Sequence, residues 1–255
     1  MSTRSVWTES FPIRAYDITP RGTASPLAIC DFLQEAAGNH ADHLGVSMED
    51  LLSDNRAWVL AFLHLEVDRY PAWHREVTLE TWPSGLDGIY ATREFVLSDA
   101  DGPCARATSA WFVIDTDRRR PVRPPAVLQD IDLPDRPRPL SKQQSKSSVP
   151  EGAPLHERDF RVRYHDLDLN RHVNNVRYVE WAVETLDAGW LDAHELSHLT
   201  LEFRAETTAD DPVRAEAYAG AEDDPDRTFR HHLRHAESDR TLALASTRWR
   251  VAEHD

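Results

Sequence analysis

Apolar or small side chains recur between residues 26 and 44, at Leu27, Cys30, Phe32, Leu33, Ala36 and Ala37, and predict a well-covered helix. Pro26 suits a first helical position, Ser25 before it offers a cap, and Gly45 offers a stop. Runs rich in Val, Leu, Phe, Trp and Thr around 57–70, 75–83, 89–99 and 104–115 then predict strands. Asp87-Gly88 and Asp101-Gly102 mark turns between them. Residues 117–158 change character: proline, arginine, serine and glutamine dominate, which predicts an extended linker. The earlier plan then returns. A strand at 158–166 and a polar segment lead into a helix near 174–190, with Val176, Val179, Val183 and Leu186 on one stripe. Strands are predicted near 198–207, 212–220, 227–236 and 241–252. Helix first and antiparallel strands after it, twice over, gives an α+β fold.

The two halves are also related residue by residue. Phe160, Val162, Arg163, Asp166 and Leu167 repeat Phe11, Ile13, Arg14, Asp17 and Ile18 at one constant offset. Leu199-Thr200-Leu201-Glu202 matches Leu63-His64-Leu65-Glu66, and Ala243, Ala245, Trp249 and Val251 match Ala105, Ala107, Trp111 and Val113. Three blocks recurring in one order make two similarly folded halves the economical reading.

One segment breaks the repeat. Asp168, Asn170 and His172 stand opposite Thr19, Arg21 and Thr23. A carboxylate, an amide and an imidazole at every second position face one side of an extended segment. Burying three such groups is unfavourable unless each has a partner. A packing requirement would appear in both halves, whereas chemistry needs only one.

Charge and cysteine content narrow the class. The formal net charge of −15 excludes general nucleic-acid binding, which needs a basic footprint. No apolar run approaches a membrane span, and the first ten residues lack a signal-peptide core. Cys30 and Cys104 make no disulfide framework, which fits a reducing interior and a cytoplasmic protein.

The chain resembles the acyl-acyl carrier protein thioesterases of plants and some bacteria over nearly its whole length. The resemblance rests on Ile13-Arg14-Ala15-Tyr16-Asp17-Ile18, Arg21-Gly22-Thr23-Ala24, Leu33-Gln34-Glu35-Ala36, Asn39-His40 and Arg69-Tyr70-Pro71-Ala72-Trp73 in the first half. In the second half it rests on Asp166-Leu167-Asp168, His172-Val173-Asn174-Asn175, Tyr178, Trp181 and Leu199-Thr200-Leu201-Glu202-Phe203-Arg204. It implies two fused hot-dog domains, each a long helix wrapped by an antiparallel sheet. The boundaries expected are an N-terminal domain at 1–120 that binds the acyl chain, a linker at 121–157, and a C-terminal domain at 158–255 that carries the catalytic residues. It also implies catalytic roles for Asp168, Asn170 and His172, with Glu206 as the further carboxylate downstream. Thr207 stands where relatives often carry a cysteine, so a thiol mechanism there is excluded.

Thioester hydrolysis needs an activated water and a place for the negative charge that develops on oxygen. Asp168 and His172 are candidates for activation or direct attack, Glu206 for completing a water-binding pair or orienting His172, and Asn170 for holding the carbonyl or the water. Backbone N–H groups from Val173 to Asn175, at a helix start, are candidates for the oxyanion. Two close carboxylates, Asp168 and Glu206, would push one pKa upward.

Other features carry competing readings. Asn174 and Asn175 are candidates for substrate binding, though capping is the stronger reading for at least one of them. Leu33 and Ala37 line an acyl tunnel or simply the core. Trp58, Trp82, Trp111 and Trp249 are read as core. His231, His232 and His235 lack a convincing fourth ligand, so no metal is expected, and no cofactor motif is present. Arg118, Arg119, Arg120 and Arg123 form the densest basic run, either a docking patch for an acidic carrier or a solvated strand end. The reading is a cofactor-free thioesterase, monomer or homodimer. Its rivals are an acyl-CoA thioesterase on the same scaffold and a sensor that binds acyl thioesters without cleaving them.

Overall fold

The structure is a computed structural model that describes residues 5–124, 133–140, 147–220 and 227–252. The chain divides into two compact units, Met1–Lys142 and Gln143–Asp255.

In the first unit, strand β1 (Trp7–Pro12) precedes helix α1 (Pro26–His43), short helix α2 (Met48–Ser53), and strands β2 (Arg56–Val67), β3 (Glu76–Asp87), β4 (Tyr90–Asp99), β5 (Gly102–Asp115) and β6 (Arg120–Val122). The antiparallel order is β1-β3-β4-β5-β2, with β6 pairing the far end of β5. The Ser25 hydroxyl caps α1 by accepting the Ala28 N–H, and Pro26 follows without needing a partner for a missing N–H. The apolar stripe of α1, including Ile29, Leu33, Ala36 and Ala37, is buried, as are Leu65, Leu79, Phe95 and Leu97 on the strands. Each long core side chain removed from water contributes about 1.5–3 kcal/mol.

The second unit repeats the order: β7 (His156–Arg161), α3 (Asn175–Glu184), α4 (Ala188–Ala193), β8 (His194–Phe203), β9 (Pro212–Ala219), β10 (Thr228–His235) and β11 (Thr241–Val251). Its antiparallel order is β7-β9-β10-β11-β8, so β1 to β5 and β7 to β11 have the same topology. Each unit is a hot-dog domain, and the α+β expectation holds.

Three local expectations need correction. The helix expected at 174–190 is two helices, because the Thr185 hydroxyl donates back to the Trp181 carbonyl while Asp187 caps a new start at the Trp190 N–H. The first strand of the second half ends at Arg161, since the Asp166 carboxylate accepts the Arg163 N–H and draws Tyr164–Asp166 into a single 3-10 turn. Trp82 and Trp249 are core, but Trp58 and Trp111 are only half-buried: Trp58 Nε1 donates to the Val46 carbonyl and Trp111 Nε1 to Ser109 Oγ. A buried indole N–H needs such a partner.

The described parts of residues 121–157 are tied down. Arg136 pairs with Glu80 at 3.1 Å and lies 4.3 Å over the Trp82 ring, and Arg138 reaches the fully buried Glu94 at 3.6 Å. Further on, the Ser147 N–H donates to Glu202 and the Leu155 N–H to the Ala217 carbonyl. No helix among the described residues is long and apolar enough to cross a membrane.

Candidate active site

Residues 166–174 join the 3-10 turn to α3. They are not an extended segment: the Asp168 Oδ1 atom accepts the N–H groups of Asn170 (2.8 Å) and His172 (3.1 Å). The Asp168 N–H donates to the His172 carbonyl at 2.8 Å, and Arg171 takes a left-handed φ of 61°. A carboxylate that gathers two nearby amides closes a turn in competition with the strand. Asp168, Asn170 and His172 therefore share one turn rather than one face of a strand.

The anchors of this turn lie at its ends. Asp166, 2% exposed, holds the Arg163 N–H and guanidinium, and its carbonyl accepts the Asn174 N–H at 2.8 Å. Burial works against the Asp166 charge, but hydrogen bonds from Arg163 and the positive charge of Arg163 and Arg177 outweigh it and hold the carboxyl below the usual range. The Val173 N–H donates to the Thr207 carbonyl at 2.9 Å. That bond carries the loop after β8 alongside the turn, and His172 Nε2 stands 3.4 Å from Glu206 Oε2. Both side chains keep about a third of their surface, 39% and 34%. Water therefore reaches them.

Thr207 is fully buried, and its hydroxyl accepts the Tyr178 O–H at 2.9 Å. Burial pushes the Tyr178 phenol up to about 12, so it stays a donor at neutral pH. Arg240 donates to the Glu206 carbonyl at 3.1 Å. Asp166 had a sequence signal in its match with Asp17 in the repeat, and Tyr178 and Thr207 in the family resemblance, though none of these signals showed the hydrogen bonds they make. Arg240 lies too far along the chain for local patterning to link it to the turn.

The oxyanion donors expected at Val173 to Asn175 are mostly spent, because the Val173 and Asn174 N–H groups hold the Thr207 and Asp166 carbonyls. Asn174 caps α3 through its Oδ1, which accepts the Val176 N–H at 2.9 Å. The Asn175 N–H, first in the helix, is not used by that cap.

The first unit contains the same turn without the chemistry. The Arg14 N–H donates to Asp17 as Arg163 does to Asp166, the Thr19 N–H to the Thr23 carbonyl as Asp168 does to His172, and the Ala24 N–H to the Pro71 carbonyl as Val173 does to Thr207. The Ile18–Ala24 and Leu167–Val173 bridges correspond as well. One backbone frame thus carries Thr19, Arg21 and Thr23 in one unit and Asp168, Asn170 and His172 in the other. Tyr70, before Pro71, corresponds to Glu206.

Other candidates lie elsewhere. Leu33 and Ala37 are buried on α1, at 4% and 8% exposure. Arg118, Arg119, Arg120 and Arg123 are exposed around the start of β6, where Arg118 is drawn to Asp115. His231, His232 and His235 each have separate partners: His231 Nε2 with Thr247, His232 with Thr241 and Glu216, and His235 with the N–H groups of Glu237 and Ser238. An open cleft of about 400 Å³ in the first unit, bordered by His74, Arg75, Glu76 and Asp99, includes none of the candidate catalytic residues.

Comparison with known proteins places the fold and the family. Family models described as the acyl-ACP thioesterase N-terminal domain and C-terminal domain match residues 4–131 and 152–251. The chain is 30% identical over 272 residues to oleoyl-acyl carrier protein thioesterase 1 of Arabidopsis thaliana, a chloroplastic protein, covering 95% of this chain and 75% of that one. The structure of the 12:0-ACP thioesterase from Umbellularia californica superposes with a TM-score of 0.85 at 27% identity, over 97% of this chain and 94% of that one. An acyl-ACP thioesterase from Bacteroides thetaiotaomicron has the same fold, with a TM-score of 0.86 at 22% identity over 98% of this chain and 100% of that one.

Proposed function

The chain belongs to the acyl-ACP thioesterase family, and from that premise we propose that it hydrolyses the thioester of acyl carrier protein to free fatty acid and holo-carrier in fatty-acid biosynthesis. The observation that carries the mechanism is the 3.4 Å approach of His172 Nε2 to Glu206 Oε2. A carboxylate there holds the proton on Nε2 and leaves Nδ1 as the basic nitrogen. Nδ1 takes a proton from water as the oxygen adds to the thioester carbonyl. The tetrahedral intermediate then expels the thiolate, which recovers the proton from the imidazolium. The Asn170 amide and the Asn175 N–H are the donors for the oxyanion, in a position favoured by the start of α3. Asp168 shapes the turn through Oδ1 and presents its second oxygen to the water or the carbonyl.

Leu33 and Ala37 are the candidate acyl contacts, within an N-terminal domain at 1–120 that binds the chain. The domain at 158–255 supplies the chemistry, and 121–157 joins them. Asn174 and Asn175 flank the thioester, and Arg118, Arg119, Arg120 and Arg123 offer a basic patch to the carrier. No cofactor takes part in these steps. The protein works in the cytoplasm as a monomer or homodimer.

Free-acid release from matched acyl carrier protein and acyl-CoA substrates, compared between wild type and Asp168→Asn, tests the reading. Release from the carrier series, lost in the variant, is the expected result. Preference for CoA would change the partner, and tight binding without turnover would make the protein a sensor.

A further inference from the structure

We propose that the tip of the catalytic turn, Leu169 to Arg171 together with Tyr164, is a second surface, besides the basic run at 118–123, on which the acidic carrier protein docks. The inference rests on the carrier reading above and adds the place of contact.

The two copies of the turn supply the first argument. Gly22 and Arg171 occupy the same position: the Gly22 N–H donates to the Thr19 carbonyl and the Arg171 N–H to the Asp168 carbonyl. Their φ angles are 76° and 61°. A side chain at Gly22 would meet nothing within 4 Å, so the glycine suits the left-handed backbone and relieves no crowding. An L-residue in that conformation is strained, because its Cβ crowds the following carbonyl. At Arg171 the turn carries this strain, and strained positions of this kind collect at functional sites.

The second argument is what the Arg171 side chain does not touch. It is exposed and makes no ion pair with any carboxylate among the described residues. Its neighbours are committed: Arg163 pairs with Asp166 and Glu180, and Arg177 with the same two carboxylates. Among the described residues, Arg171 is thus a cation without a carboxylate partner, next to His172 in the turn.

The third is its surroundings. Leu169 is 89% exposed and Tyr164 78%, the most exposed large apolar side chains of the described residues. Arginine and tyrosine are the residue types enriched at interface centres, and Leu169 adds exposed apolar surface two residues before Arg171. A chain of net charge −15 repels an acidic partner unless a local cation meets it. A protein carboxylate fits better than the phosphate of the carrier's prosthetic arm. The Asn170 and Arg171 N–H groups already bond to Asp168, so the tip has no amide cradle for a phosphate.

The test is steady-state kinetics of Arg171→Gly, Arg171→Glu and Arg171→Lys on one acyl chain carried by acyl carrier protein, by phosphopantetheine and by pantetheine. The ratio of kcat/KM for acyl carrier protein to that for acyl-pantetheine is expected to fall about tenfold in Arg171→Glu and about threefold in Arg171→Gly, and to hold in Arg171→Lys. Arg171→Gly is expected to melt at or above the wild-type temperature, because it removes strain. An unchanged ratio in Arg171→Glu overturns the proposal. A parallel fall on all three substrates overturns it in favour of turn shaping, and a fall already complete with acyl-phosphopantetheine overturns it in favour of a phosphate site. Wild-type turnover of acyl-CoA but not of acyl carrier protein would instead refute the carrier reading, and this proposal with it.

Discussion

Glu206 Oε2 stands 3.4 Å from His172 Nε2, on a loop held against the catalytic turn by the bond from the Val173 N–H to the Thr207 carbonyl. If Glu206 orients the imidazole, Glu206→Gln keeps a hydrogen-bond partner but loses the charge that stabilises the imidazolium. The expected outcome is a fall in kcat of about ten- to a hundredfold with KM little changed. An equal rise in KM at constant kcat would assign Glu206 to binding instead.

Asp168 has two tasks that substitution separates. Asparagine keeps an acceptor for the Asn170 and His172 N–H groups, so Asp168→Asn should fold with near wild-type stability and lose at least a hundredfold in kcat. Alanine strands both N–H groups, and Asp168→Ala should in addition lose about 1–3 kcal/mol. Urea unfolding alongside acid release checks both. Substantial activity in Asp168→Asn would reduce Asp168 to a turn residue.

Asn174 is both helix cap and candidate substrate contact. Asn174→Ser preserves the cap and Asn174→Ala does not, so only the alanine variant should lose about 1 kcal/mol of stability. Loss of activity in Asn174→Ser, with its melting temperature intact, would identify contact with substrate.

His231 is buried, and burial pulls its pKa down to about 3. The unfolded chain takes up the proton near pH 6.5, so the folded state loses stability as pH falls below that value. The loss should reach about 1 kcal/mol per pH unit until the folded group itself titrates near pH 3. Asp166, held below the usual carboxylate range, acts at lower pH: its contribution is present above the unfolded value near 4 and fades as pH drops through the folded one. Urea midpoints between pH 7 and 4.5 should fall for wild type and fall less for His231→Gln. Parallel slopes would show that His231 takes up its proton equally in the folded and unfolded states.

The sequence by itself determined the kinds of element, their order and their duplication. Helical spacing from Leu27 to Ala37, the Ser25-Pro26 start and the Asp87-Gly88 turn are local signals that each segment carries without its neighbours. The repeat also isolated Asp168, Asn170 and His172 as the place where one copy departs from the other. Tertiary structure decided what those residues face. The closing of the turn depends on the N–H groups that donate to the Asp168 carboxylate, the ends of the turn depend on Asp166 and Thr207, and the spending of the Val173 and Asn174 amides follows from those same anchors. The split of α3 from α4 turned on two side chains, Thr185 and Asp187, competing with the backbone within one helical stripe. Periodicity reports which side of an element is buried. It is silent on which distant carbonyl completes a given N–H, and that choice put Glu206 beside His172.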